Sequence, residues 1–124
     1  MTKSTETKSA ITTHVLDTAT GKPAANVPIS LYKKVDNDWL FITDGKTDDD
    51  GRITDWIGPD TKIEFAVYKL VFDLDSYFSE QSAKGNAEPA FYPLAEICFR
   101  LQDSKHHHIP LLLSPFGYST YRGS

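Results

Sequence analysis

The residues in this 124-residue chain whose types and spacing can do chemistry are its four histidines, Arg52 and its polar last residues, Tyr121-Arg122-Gly123-Ser124. Three histidines stand in the run Lys105-His106-His107-His108-Ile109-Pro110-Leu111-Leu112-Leu113. Read as a strand, with side chains alternating between faces, this segment puts His106, His108, Pro110 and Leu112 on one side and His107, Ile109, Leu111 and Leu113 on the other. His14 lies in the middle of a second strand-like stretch, on the face of Thr12 and Leu16. An arginine brought beside two histidines can polarise a carbonyl and pass protons to and from water, which is hydrolysis by general acid-base catalysis without a covalent intermediate. A strand histidine is ordinarily satisfied by a structural partner, and an arginine beside an Asp-rich turn ordinarily makes a surface ion pair. Spacing alone therefore leaves a structural role open for each of His14, Arg52 and His108.

Other chemistries are less well supported. Adjacent histidines suggest a metal, but only His106 and His108 share a face, and no Cys pair or HExxH-type spacing supplies the remaining ligands. The acidic turn Asp48-Asp49-Asp50-Gly51 fails as a calcium loop: with Gly51 at its sixth position, Lys46 and Ile57 fall where oxygen ligands are required. Its carboxylates are expected to form the turn. Cys98 stands in no catalytic-thiol signature, and no GxSxG elbow is present.

The elements that must position these residues are short strands. Ile11 to Asp17 is β-rich and stops at Thr18-Ala19-Thr20-Gly21-Lys22-Pro23, while Val27 to Lys34 turns through Asp36-Asn37-Asp38 into Trp39 to Thr43. Pro28 belongs on an edge or at a strand's first residues because it cannot donate to a ladder. Arg52 opens a strand running to Trp56. Ile63 to Phe72 is a longer one with Ile63, Phe65, Val67 and Val71 on one face, and Phe91 to Leu101 places Ile97, Phe99 and Leu101 opposite Glu96, Cys98 and Arg100. His108 to Leu113 and Tyr118 to Arg122 form a closing hairpin around Ser114-Pro115-Phe116-Gly117. Between the fifth and sixth strands the period changes: Leu74, Tyr77 and Phe78 fall at helical spacing, with Asp73 or Asp75 as N-cap and Gly85 as a stop. Eight strands and one helix with regular turns predict an all-β, two-sheet antiparallel sandwich. Residues 1–10 read as a polar, disordered leader and 11–124 as a single domain.

A net charge of −4 with no Lys/Arg cluster argues against nucleic acid or an anionic membrane surface as a partner. The chain has one cysteine, a polar first ten residues and no long apolar stretch, which makes cytoplasm the expected compartment and excludes an intrachain disulfide. At this length about two-thirds of the unfolded surface can be buried without disulfide or metal.

Four segments, in order, resemble one family. They are His14-Val15-Leu16-Asp17 with Gly21-Lys22-Pro23-Ala24, the turn Thr47-Asp48 with Asp50-Gly51-Arg52, His106 with His108-Ile109-Pro110-Leu111-Leu112-Leu113-Ser114-Pro115, and Tyr118-Ser119-Thr120-Tyr121-Arg122-Gly123-Ser124. Together they are similar to the enzymatic, 5-hydroxyisourate-hydrolysing branch of the transthyretin family. The Tyr-Arg-Gly-Ser ending is the feature that separates that branch from the hormone carriers. The resemblance implies an eight-stranded prealbumin-like sandwich with one helix, assembled as a homotetramer with its sites in a channel between dimers. It implies hydrolysis of the small molecule 5-hydroxyisourate, from urate oxidation, to 2-oxo-4-hydroxy-4-carboxy-5-ureidoimidazoline, with no cofactor or metal. It matches His14, Arg52 and His108 to the family's catalytic residues and Tyr121, Arg122, Gly123 and Ser124 to its substrate-binding end.

The chain departs from the family's His-Tyr-His, having His107 in the middle. That residue faces away from its neighbours, so the change is expected to affect packing rather than catalysis. A non-catalytic carrier holding a small ligand in the same channel is the rival function, and a purely structural sandwich is the third.

Overall fold

A computed structural model describes residues 10–54, 56–57, 63–85 and 89–123. The leader expected over residues 1–10 therefore lies, except for Ala10, outside the described residues, and so does Ser124. The described residues form nine strands and one helix: β1 (Ile11–Asp17), β2 (Lys22–Pro23), β3 (Pro28–Val35), β4 (Asp38–Lys46), β5 (Arg52–Ile53), β6 (Ala66–Asp73), α1 (Leu74–Ala83), β7 (Leu94–Leu101), β8 (His107–Ser114) and β9 (Gly117–Thr120). One sheet runs β2-β1-β8-β9 with β5 also paired to β1, and the other runs β4-β3-β6-β7.

Alternation explains how the two sheets meet. Ile11, Val15, Ile109, Leu111 and Leu113 of the first sheet pack on Ile29, Leu31, Tyr68, Leu70, Phe72 and Ala95 of the second, in one continuous core. Burial of such a face is the main stabilising term, at roughly 25 cal/mol per Å² of apolar surface removed from water. Helix α1 starts where Asp73 caps it by accepting from the Ser76 amide at 3.0 Å, and it buries Leu74, Tyr77 and Phe78, as their spacing predicts. The Tyr77 hydroxyl donates to the buried Asp17 carboxylate at 2.7 Å, which ties the helix to the end of β1. Burial first, and then that carboxylate, raise the Tyr77 pKa well above its ordinary value. Among the described residues no helix is long and apolar enough to cross a membrane.

The structure corrects the sequence reading in four places. An extra strand, β2, is made by only two residues: the Gly21 amide donates to Asp17 O at 2.8 Å, and the chain folds Lys22 and Pro23 back on Asp17 and Leu16. Two residues are too few to carry a periodic signal. The sandwich is also not purely antiparallel, because β1 and β8 run parallel over seven residues. Alternation is the same for either direction, so sequence could not separate them. On β6 the buried face is Tyr68, Leu70 and Phe72, whereas Phe65, expected within the strand, is 62% exposed. Aromatic and aliphatic residues occupy both faces there, and burial was decided by the neighbouring strands. Strand β7 begins at Leu94 rather than Phe91, since Pro93 has no amide to give to a ladder and its carbonyl instead accepts from Leu74 and Asp75.

Candidate active site

The outer face of the first sheet gathers the residues singled out by their chemistry. In register, His14 on β1 lies opposite Arg52 on β5 on one side and opposite Pro110 on β8 on the other. Thr12, one step along the same face, lies opposite His108. His14, Arg52 and His108 thus share one surface, although 94 residues separate the first from the last. The inner face of the same strands carries Ile11, Val15, Ile109 and Leu111, all buried in the core, and this is what forces the polar set outward.

Arg52 is placed by the acidic turn. One Asp48 carboxylate oxygen accepts from the Asp50 amide at 2.9 Å and from the Arg52 amide at 3.0 Å. The Asp48 carbonyl accepts from Gly51 at 2.9 Å and the Asp48 amide donates to Arg52 O at 3.0 Å. Gly51 takes φ +75° and offers its own carbonyl to the Val15 amide at 2.7 Å, which docks the turn against β1. Of the carboxylates read as turn formers from sequence, that of Asp48 anchors the Arg52 backbone.

His14 has its pKa lowered from the ordinary 6.5, first by burial and then by the Arg52 guanidinium. The Asp50 carbonyl and the Asp48 and Asp50 carboxylates oppose this without reversing it. His14 is consequently the neutral, proton-accepting form at neutral pH. Arg52→Gln is expected to raise the His14 pKa in an NMR titration of its ring protons, because the carboxylates then act unopposed by the guanidinium; an unchanged midpoint would show that the two side chains do not sense each other. The depressed value also has a sign for stability. As pH falls below about 6.5 the unfolded chain takes up this proton before the folded one does, so His14 costs stability on the acid side and contributes nothing above it.

His108 is half-buried, and its Nδ1 lies 2.8 Å from the Thr12 hydroxyl. The same hydroxyl lies 2.7 Å from His106 Nε2. The chain end folds over this ring: the Gly123 amide donates to His108 O at 2.8 Å, and a Cβ at Gly123 would stand 2.6 Å from His108 Cδ2. Only a residue without a side chain allows that approach. Tyr121 and Arg122 are exposed and line, with His108, His107, Cys98 and Arg100, a pocket of about 300 Å³ between β7 and the chain end. His14 and Arg52 are not among the residues lining it. Of the residues expected in the site, the fold brings His14, Arg52, His108 and Gly123 to one surface and sets Tyr121 and Arg122 at its margin.

His107 points into the molecule, 4% exposed, as alternation predicts. Its Nδ1 donates to the Lys105 carbonyl at 2.7 Å, while its Nε2 stands 3.9 Å from Asp103 Oδ1, too far for a hydrogen bond. Among the described residues no group of three or more His, Cys, Asp or Glu is disposed to hold a metal ion. Sequence reasoning missed Thr12, whose only signal was its place two residues before His14 on the same face.

Fold and site together define a two-sheet sandwich whose outer sheet face presents two histidines and an arginine. The chain belongs to the HIUase/Transthyretin family, whose model matches residues 11–123. A 5-hydroxyisourate hydrolase from Mesorhizobium japonicum is 43% identical to it over 114 residues, covering 92% of this chain and 91% of the relative. Among solved structures, the 5-hydroxyisourate hydrolase of Klebsiella pneumoniae superposes with a TM-score of 0.78 at 29% identity, covering 92% of this chain and 97% of that one. Sea bream transthyretin in complex with thyroxine superposes with a TM-score of 0.82 at 30% identity, covering 93% and 95%. A hydrolase and a thyroxine-bound transthyretin thus both match in backbone, so the fold alone does not separate them.

Proposed function

We propose that the protein hydrolyses 5-hydroxyisourate to 2-oxo-4-hydroxy-4-carboxy-5-ureidoimidazoline in urate degradation, using His14, Arg52 and His108. The observation that carries this reading is the double register of β1, which sets His14 beside Arg52 on β5 and, one step along the same face, Thr12 beside His108 on β8. Relatives named as 5-hydroxyisourate hydrolases, at 37–43% identity, support it.

The steps follow from the groups present. A water between the two histidines gives a proton to His108 while its oxygen attacks the ring carbonyl. Arg52 binds the anionic, urate-like substrate through its planar fork and stabilises the oxyanion that develops on the carbonyl oxygen. When the C–N bond opens, the proton passes from His108 to the departing nitrogen, leaving a carboxylate and a ureido group. Neutral His14 orients the water by hydrogen bonding. The Tyr121-Arg122-Gly123-Ser124 end is proposed to bind the substrate, with Gly123 holding the chain end against His108. No step calls on a metal or cofactor.

The reading includes a homotetramer, because on one chain this sheet face is open. Phe91, Tyr92 and Tyr118 make edge-on ring pairs at 4.9 and 5.7 Å while all three stay exposed, an apolar surface suited to another copy. Cytoplasm is the compartment proposed with it, because a lone cysteine fits a reducing environment. The carrier alternative is not favoured, since it gives the histidine pair and Arg52 nothing to do.

The test is the ultraviolet decay of 5-hydroxyisourate generated in situ from urate by urate oxidase. The protein is expected to accelerate that decay over the spontaneous rate. A folded protein that leaves the rate unchanged would defeat the proposal and favour the carrier.

A further inference from the structure

Thr12, on the outer face of the first sheet, is buried, at 1% exposure, and its hydroxyl is used unlike its neighbours'. Thr13, Thr18, Thr47 and Thr120 donate to backbone carbonyls, at 2.6, 3.0, 2.7 and 2.6 Å. The Thr12 hydroxyl instead sits between two imidazoles, 2.7 Å from His106 Nε2 and 2.8 Å from His108 Nδ1, with the ring centres 6.1 Å apart.

A hydroxyl has one proton and two lone pairs, and where the proton is used between the two rings it donates to one and accepts from the other. Two polarities satisfy that count. In the first, His108 Nδ1–H donates to Thr12 Oγ1 and the hydroxyl donates to His106 Nε2. In the second, both bonds run the other way and His108 carries its proton on Nε2. Only the first makes Nε2 the unprotonated, basic nitrogen of His108, the one that can take a proton from water. Only the first also survives that transfer, because in the imidazolium both ring nitrogens are donors and Nδ1 still points at Oγ1.

We propose that Thr12 and His106 are positioning residues which hold His108 in its Nδ1–H tautomer through the chain His108 Nδ1–H to Thr12 Oγ1–H to His106 Nε2. This rests on the reading of His108 as the base. It assigns a role to His106, the exposed first member of the histidine run, which touches no substrate in the mechanism above. Backbone register fixes the geometry: Thr12 is opposite His108 in the parallel pairing of β1 and β8, and His106 immediately precedes β8. The third member does for His108 what an orienting group does for any catalytic histidine: it selects the tautomer and stabilises the cation that forms.

Three variants and one spectroscopic measurement test the chain. Thr12→Val keeps the shape and removes the hydroxyl, Thr12→Ser keeps the hydroxyl, and His106→Phe keeps an exposed ring while removing the nitrogen that meets Thr12. Thr12→Val and His106→Phe are expected to lower kcat about 10-fold or more with KM within about twofold of the wild type, and Thr12→Ser is expected to restore most of kcat. Ring nitrogen shifts from long-range proton-nitrogen NMR should report Nδ1–H for neutral His108 in the wild type and a shift toward Nε2–H in Thr12→Val. Wild-type kcat in Thr12→Val and His106→Phe would overturn the proposal, as would an Nε2–H tautomer in the wild type. If wild type itself left 5-hydroxyisourate decay unchanged, the hydrolase reading would fall, while the nitrogen shifts would still decide whether the chain exists.

Discussion

His108→Ala is expected to lower kcat for 5-hydroxyisourate by about 10²- to 10⁴-fold, the range for loss of a positioned general base, with KM little changed. The ring is the only group proposed to accept the water's proton, and its removal leaves His14 and Arg52 on the sheet to bind substrate as before. Stability should change little by comparison. The ring is half-buried on the outer face, and the core beneath it is made by Ile109 and Leu111 on the other side of the strand. Initial rates corrected for spontaneous decay, together with a thermal melt, check both halves. A folded variant with wild-type kcat would return His108 to a structural role and defeat the mechanism.

Gly51→Ala is expected to be the most damaging glycine-to-alanine change among the described residues. At φ +75° any L side chain is strained, by roughly 1–2 kcal/mol. The added Cβ would also stand 2.4 Å from Val15 O, 3.2 Å from the Ala24 amide nitrogen and 3.2 Å from Pro23 Cβ, two of them backbone atoms that cannot rotate away. Strain and overpacking together make a loss of roughly 2–5 kcal/mol, or a Tm lower by roughly 8–20 °C. The turn that carries the Arg52 backbone would have to leave β1, so kcat/KM measured well below the melt should fall as well. Gly21→Ala is the matched control: it has the same φ of +75° and nothing within 4 Å, so only the strain remains. Equal destabilisation of the two variants would show that the turn is not docked as described.

Both expectations rest on features that differ in how far the sequence disclosed them. The hairpin β8–β9 and helix α1 were legible because each depends on neighbours in sequence: an alternating apolar run ending in a Pro-Phe-Gly turn, and Leu74, Tyr77 and Phe78 at helical spacing behind a capping aspartate. The separation of His108 from His107 followed from the same rule, since successive side chains in a strand cannot share a face. The identity of the candidate residues came from likeness to a family, which fixes residue types in an order and says nothing of distances.

Pairing across the chain was a different matter. That β1 lies parallel to β8 and also takes β5 on its other edge depends on contacts between residues 38 to 96 positions apart, and no local pattern encodes which strands meet. The same holds for β6, where Val67 and Val71 were as apolar as Leu70 and Phe72 and only the opposing sheet decided which face was covered. Eight of the nine strands in outline, the helix, its cap and the back-to-back placement of His107 and His108 could be read from the sequence, because those follow from torsional preference and period. Only the tertiary structure decided that Thr12 stands between His106 and His108, that Gly123 closes on the His108 ring, and that Arg52 faces His14, because each of these is a meeting of segments brought together by burial of the opposite face.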